Sequence, residues 1–173
     1  MNISVLYGAD EIATRVRGLA TEIAGRMGPK PLIIPILKGS FIFAADLLRA
    51  LHEVGAEPDM DFITLSSYGA GTKSLGEVTI IRDTEALIEG RDVLLVDDIL
   101  ESGRTLAYAK DLMAARGAAS VQGCVLLRKP GKLAVDIDVE FAGFDCPDLF
   151  VVGYGMDVAH ACRQLPFIGV IGE

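Results

Sequence analysis

The sequence predicts an α/β fold, a twisted and mainly parallel sheet flanked by helices on both faces. Three observations carry this expectation. Through the middle of the chain, apolar runs of strand length alternate with segments of helical period, the pattern of strand–helix–strand units. The runs at residues 31–37 and 93–96 are apolar throughout, without in–out alternation, as strands covered on both sides are. Several runs also end in polar turns that open helices, and open α/β sheets bind ligands beyond the carboxyl ends of their strands.

The elements follow in order. Residues 3–6 form a short edge-strand candidate. Ile12, Val16, Leu19, Ala20, Ile23 and Met27 recur at helical spacing, with Asp10 and Glu11 in the first turn, where the helix dipole favours acids, and Gly28-Pro29 as the stop. The apolar strand at 31–37 runs into Lys38-Gly39-Ser40 and then an apolar helix at 41–51. Lys-Gly-Ser turns are common, but between a strand and a helix such a turn can hold an anion. Residues 61–68 form a strand that leads into GAGTKSLGE, and 78–81 return as another. The excursion between them reads either as a surface loop or as a lid. Beyond it, a helix at 106–115 stops at Arg116-Gly117. A strand at 121–127 ends in Arg128-Lys129-Pro130, another short strand lies within 135–144, and a Pro-containing bend precedes residues 150–153.

The chain is organised around residues 92–106, DVLLVDDILESGRTL. An apolar strand, expected to stop at Asp97-Asp98, is followed by small and hydroxyl residues that enter a helix near Leu106. Backbone N–H groups at such a helix start can hold a phosphate. The paired carboxylates can accept hydrogen bonds from vicinal hydroxyls or hold a hydrated cation. Together they make a sugar-phosphate site.

Bulk properties narrow the class. The 173 residues suffice for one domain with a sizeable core, and 51% hydrophobic content with a mean hydropathy of +0.41 argues for a folded globular chain. Apolar runs fall short of the ~18–20 residues of a membrane span, and the first residues lack the pattern of a secretion signal. Cys124, Cys146 and Cys162 are odd in number and widely spaced, which fits a reducing cytoplasm better than a disulfide framework or a zinc site. The net charge of −8 argues against nucleic-acid binding and requires that any anionic ligand be met by local Lys, Arg or Mg²⁺.

Residues 92–106 resemble the phosphoribosyl-pyrophosphate (PRPP) motif of type I phosphoribosyltransferases: apolar strand, two acids, two aliphatics, a variable residue, then Ser/Thr-Gly-x-Thr. Six segments in order, LKGSFIFAADL, SSYG, VLLVDDILESGRTL, LLRKP, FAGFDCPDLFVVGYGMD and RQLPFIG, resemble the hypoxanthine-guanine phosphoribosyltransferases. The resemblance implies the type I phosphoribosyltransferase fold over residues 1–173 as a single domain, with a small hood built from roughly 1–8 and 130–173. It implies a Mg²⁺-dependent transfer of 5-phosphoribosyl from PRPP to N9 of hypoxanthine or guanine in purine salvage, giving IMP or GMP and pyrophosphate. It also implies a homodimer or homotetramer.

Carried onto this chain, the resemblance makes Asp97 and Asp98 the holders of the ribose hydroxyls, partly through a magnesium shell. Glu101, Ser102, Gly103, Arg104 and Thr105 wrap the 5′-phosphate. Lys38 and Gly39 bind pyrophosphate behind a non-proline cis peptide, and Arg163 meets the same leaving group. Asp157 binds Mg²⁺ on the purine side. Lys129 donates to purine O6, Phe150 stacks on the base, and Val151 faces its edge. Ser67 and Tyr68 begin a lid. Catalysis falls to Glu101, Lys38 and Arg163, which serve an oxocarbenium-like transition state with a departing anion. A cation facing O6 favours a 6-oxopurine over adenine, whose amino group would oppose a donor with a donor. The chain departs from the family at Glu101, where Asp is usual as the proton acceptor near N7. The extra methylene displaces the carboxylate by about 1.5 Å. RNA-binding attenuation regulators of the same fold share VDD-x-x-x-x-GRT, but the acidic charge, Lys129 and FVVGYGMD favour the enzyme.

Overall fold

In the computed structural model, which describes residues 1–67 and 77–172, the long strand β6 (Asp92–Leu100) runs through the centre of the main sheet. It lies parallel to β2 (Leu32–Leu37) on one side and to β7 (Ser120–Arg128) on the other. Beyond β7 lies parallel β8 (Phe141–Asp145). Beyond β2 come β4 (Ile63–Ser67), also parallel, and β5 (Val78–Arg82), antiparallel to β4. A two-residue strand β3 (Asp59–Met60), too short for a sequence signal, pairs with the start of β2.

Period-two alternation along β6 divides the interior into two cores. Leu94 and Val96 face the helices α1 (Ala9–Met27) and α2 (Phe41–Glu53), whereas Val93 and Leu95 lie under α3 (Arg104–Ala115). All four are fully buried, and burying a side chain of this size is worth about 1.5–3 kcal/mol. The six periodic residues of α1 all belong to the first core, so its apolar stripe faces the sheet.

β6 does not stop at its acids. It pairs with β2 only as far as Pro35 opposite Val96, but continues beside β7 through Ile99 and Leu100. The carboxylates are tolerated because β2 has turned away, opening one side of the strand while β7 still satisfies its backbone. α3 likewise begins at Arg104, earlier than the sequence suggests, since left-handed Gly103 (φ 81°) lets the chain enter the helix directly. The strand expected within 135–144 is confined to β8.

A second, antiparallel sheet joins β1 (Ile3–Tyr7), at its edge, to β10 (Ile168–Ile171) and β9 (Val151–Val152). The Tyr7 ring stacks on Phe144 at 4.3 Å, and Arg15 of α1 donates to the carbonyls of Ala142 and Gly143. Among the described residues, no helix is long and apolar enough to cross a membrane.

Candidate active site

The carboxyl ends of β2, β6 and β7 release three turns toward one another. The first is Lys38-Gly39-Ser40. The Leu37–Lys38 peptide is cis, and buried Ser40 ties the turn back by donating to Ile36 O at 2.7 Å. A Cβ on Gly39 would collide with the Asp98 carboxylate, so only glycine lets this turn lie directly on the acid pair.

At that pair, Asp97 Oδ1 accepts from Asp98 N–H at 2.9 Å and Asp98 Oδ1 accepts from Ile99 N–H at 2.8 Å. Burial, and then the neighbouring Asp98 carboxylate, push the Asp97 carboxyl well above the usual range. A group that takes charge so reluctantly is stabilised by hydroxyl donors or a cation arriving from the open side.

The second turn is Glu101 to Thr105. Ser102 Oγ accepts from Arg104 N–H at 3.3 Å, and the first N–H groups of α3 lack intrahelical partners, as at any helix start. The segment after Pro130 packs onto this loop. Ala134 N–H donates to Ser102 O at 2.8 Å, and Leu133, Val135 and Ile137 crowd the face where Gly103 would carry a Cβ. No sequence pattern marks this strap, because its apolar residues follow neither a helical nor a strand period.

The third turn carries Lys129, whose backbone N–H donates to Leu100 O at 3.0 Å. Its side chain is 7% exposed and its ammonium lies 3.3 Å from Glu101 Oε1. Two residues singled out separately, 28 positions apart, are thus one ion pair. A cavity of about 690 Å³ opens over the first two turns, walled by Lys38, Asp97, Asp98, Glu101, Ser102 and Thr105 among others, whereas Lys129 lies behind Glu101 and is not part of that wall. Lys132 also reaches its wall, held 2.8 Å from Asp148, and sequence reading passed over it. Ser67 lines the cavity as well, whereas Tyr68 lies outside the described residues. Phe150 is 60% exposed and is not part of that wall, while Val151 beside it is buried in β9.

A neighbouring cavity of about 420 Å³ brings Lys38, Asp98, Asp157 and Arg163 together, so Asp157, expected on the purine side, stands instead beside Lys38 and Arg163. Arg163 Nη2 stands 3.2 Å from Asp157 Oδ2 and Nη1 donates to Gly155 O at 2.6 Å, while His160 N–H donates to Asp157 Oδ2 at 2.8 Å. Among the described residues no three acids, histidines or cysteines converge as a metal cage. Asp98 and Asp157 on one wall still suit Mg²⁺, which is commonly held by one or two carboxylates and completed by substrate phosphates and water.

An acid pair next to a helix-start anion loop, with cations converging from two further turns, defines a protein that handles a phosphorylated sugar. The family model of the phosphoribosyl transferase domain matches residues 4–159. The hypoxanthine-guanine phosphoribosyltransferase of Bacillus subtilis is 44% identical over 168 residues, covering 96% of this chain and 92% of that protein. The hypoxanthine phosphoribosyltransferase of Salmonella typhimurium is 41% identical over 172 residues, covering 98% and 95%. A crystal structure of a hypoxanthine-guanine phosphoribosyltransferase from Bacillus anthracis superposes with a TM-score of 0.92 at 38% identity, covering 99% of this chain and 100% of that one. The chain belongs to the phosphoribosyl transferase family, within its hypoxanthine-guanine phosphoribosyltransferase branch. It also matches bifunctional TilS/HprT proteins of Listeria at up to 46% identity, where it spans 26% of their length.

Proposed function

We propose that this chain transfers the 5-phosphoribosyl group of PRPP to N9 of hypoxanthine, and of guanine, in purine salvage, acting as a single domain with a small hood from roughly 1–8 and 130–173, less β8, which is a strand of the main sheet. The C1′–N9 bond forms, the bond from C1′ to pyrophosphate breaks, and the purine loses one proton. The observation that carries this reading is the buried Lys129 ammonium paired with Glu101 beside the phosphate loop. A 6-oxopurine can offer its O6 to Lys129 and its N7–H to Glu101, so each half of the pair gains a partner in place of the other.

The remaining residues supply the rest of the transfer. Backbone N–H groups of residues 102–105, with the Ser102 and Thr105 hydroxyls, hold the 5′-phosphate. Asp97 and Asp98 accept from the ribose hydroxyls. Lys38 and Arg163 face the leaving pyrophosphate and hold charge where it develops. Asp98 and Asp157 would hold Mg²⁺, which when bound neutralises pyrophosphate charge. Ser67, on the wall of the larger cavity, begins with Tyr68 the stretch that the family resemblance makes a lid. Phe150 stacks on the base while Val151 presents backbone to its edge. The protein works in the cytoplasm as a homodimer or homotetramer.

Steady-state assays with PRPP and Mg²⁺ against hypoxanthine, guanine, xanthine and adenine test the proposal. Nucleotide formation from hypoxanthine and guanine is expected, with adenine at least about 10³-fold lower in kcat/KM. Comparable use of adenine, or no turnover of any oxopurine, would overturn it.

A further inference from the structure

Between β9 and Asp157 the chain makes a tight turn, Gly153-Tyr154-Gly155-Met156, closed by reciprocal 3.0 Å backbone hydrogen bonds between Gly153 and Met156. The turn is fastened on three sides. Tyr154 N–H donates to Leu165 O at 2.9 Å and Gly155 N–H to Arg163 O at 3.0 Å, which ties it to the returning chain that carries Arg163. Gly155 lies against the Lys38-Gly39 turn so closely that a Cβ there would come 2.7 Å from Gly39 O. The third fastening is a side chain. Tyr154 Oη–H donates to Asp46 Oδ2 at 2.5 Å, and Asp46 sits on α2, the helix opened by that same Lys38-Gly39 turn.

Tyr154 is only 7% exposed and has a left-handed backbone (φ 49°), uncommon for a residue with a bulky side chain and kept only where the surroundings over-determine it. Neither cavity over the reaction centre includes Tyr154 in its wall. With Asp46 it lines a separate hollow of about 330 Å³ behind Arg163, bounded by Ile12 of α1 and Ile42 of α2. The purine side is held by other means. Val151 and Val152 pair with β10, and Lys129 is fixed by Leu100 O and Glu101.

We infer that Tyr154, through its hydrogen bond to Asp46, is a positioning residue that holds the Arg163–Asp157 pair in register with the Lys38-Gly39 turn. It thereby sets the grip on the pyrophosphate end of the ribosyl donor and leaves the purine end untouched. The inference rests on the function proposed above.

Tyr154→Phe keeps the ring and removes only the donor. The KM for PRPP is expected to rise about 5–10-fold while the KM for hypoxanthine stays within about twofold. Asp46→Asn retains an acceptor oxygen and should stay near wild type. Asp46→Ala should reproduce the Tyr154→Phe phenotype, and combining the two should add nothing, because they break one shared contact. An unchanged KM for PRPP, or an equal rise in both KM values, would overturn the inference. Amide hydrogen exchange gives a readout independent of turnover. Residues 153–163 should exchange about tenfold faster in Tyr154→Phe with β9 and β10 unchanged, and unaltered exchange would equally overturn it. A wild-type chain that turned over no oxopurine would sink the functional reading, and the exchange experiment would still decide the anchor.

Discussion

The Glu101 carboxylate and the Lys129 ammonium lie 3.3 Å apart in unequal surroundings, the lysine side chain 7% exposed and the glutamate 51%. A buried ammonium without a counter-charge would cost several kcal/mol, so Glu101 makes the buried Lys129 tolerable whatever its part in the proposed proton transfer. The longer side chain reads differently in this light. An extra methylene costs rotamer freedom but extends reach, and here the reach is used to meet Lys129. Glu101→Gln keeps the length and removes the proton-accepting charge. Its kcat with hypoxanthine is expected to fall about 100-fold or more, with the KM for PRPP nearly unchanged. A kcat close to wild type would show that Glu101 takes no proton. Lys129 was legible in the sequence as a polar residue closing an apolar strand, and Glu101 as the first residue of the phosphate loop. Their meeting was not, because it depends on β6 and β7 ending side by side, a register that no local pattern encodes.

At the scale of elements, the loop from β5 into β6 depends on one carboxylate. Asp61 Oδ2 accepts from Thr84 Oγ1, from Glu85 N–H at 2.7 Å and from Ala86 N–H at 2.8 Å, while Oδ1 takes Phe62 N–H at 2.8 Å. Arg116, just past α3, forks onto Asp83 in the same loop at 2.6 and 2.8 Å. Partial burial raises the Asp61 carboxyl, but these four hydrogen bonds outweigh it and leave the group below the usual carboxylate range. A depressed folded-state value means that the ionised form stabilises the fold above the ordinary carboxylate pKa, and that this contribution is lost as pH falls through the folded value. Asp61→Asn offers a single acceptor oxygen and turns an NH₂ toward a donor. It is expected to destabilise by about 1–2 kcal/mol at pH 7, after allowing for solvent exposure, or a few degrees in Tm. The gap to wild type should close in melts below about pH 4, and a pH-independent gap would refute the assignment. Sequence pattern found β2, β6, β7 and the buried face of α1, because both-sided burial and the 3.6-residue period leave a composition signal. It missed β3, the strap at 131–137 and this Asp61 staple, which rest on side-chain-to-backbone hydrogen bonds, short pairing and loop packing that leave none.

The whole molecule sets a harder electrostatic problem. The chain carries a net charge of −8, yet the ligand proposed for it is a polyanion. The local cations do not reverse that balance. In the 420 Å³ cavity Lys38 and Arg163 face Asp98 and Asp157, and Arg163 is already committed to Asp157 at 3.2 Å. With near-zero local charge inside a negative field, Lys and Arg alone hold pyrophosphate weakly, so firm binding requires a divalent cation to arrive with the anion. This separates Mg²⁺ as part of the ligand from Mg²⁺ as a resident of the fold. Mg²⁺ alone, with two carboxylates to hold it, should barely move the melting temperature. Mg²⁺ with pyrophosphate at about 100 times its Kd should stabilise by about 2.7 kcal/mol, a rise of about 5–10 °C for a chain of this size. Pyrophosphate with a chelator should give almost no shift, and the chelator should abolish turnover. The paired shift should also shrink as salt is raised, because the surrounding field is screened within about 10 Å at 0.1 M ionic strength. Equal protection with and without the chelator would mean that Lys38 and Arg163 suffice, and the magnesium assignments of Asp98 and Asp157 would fall together.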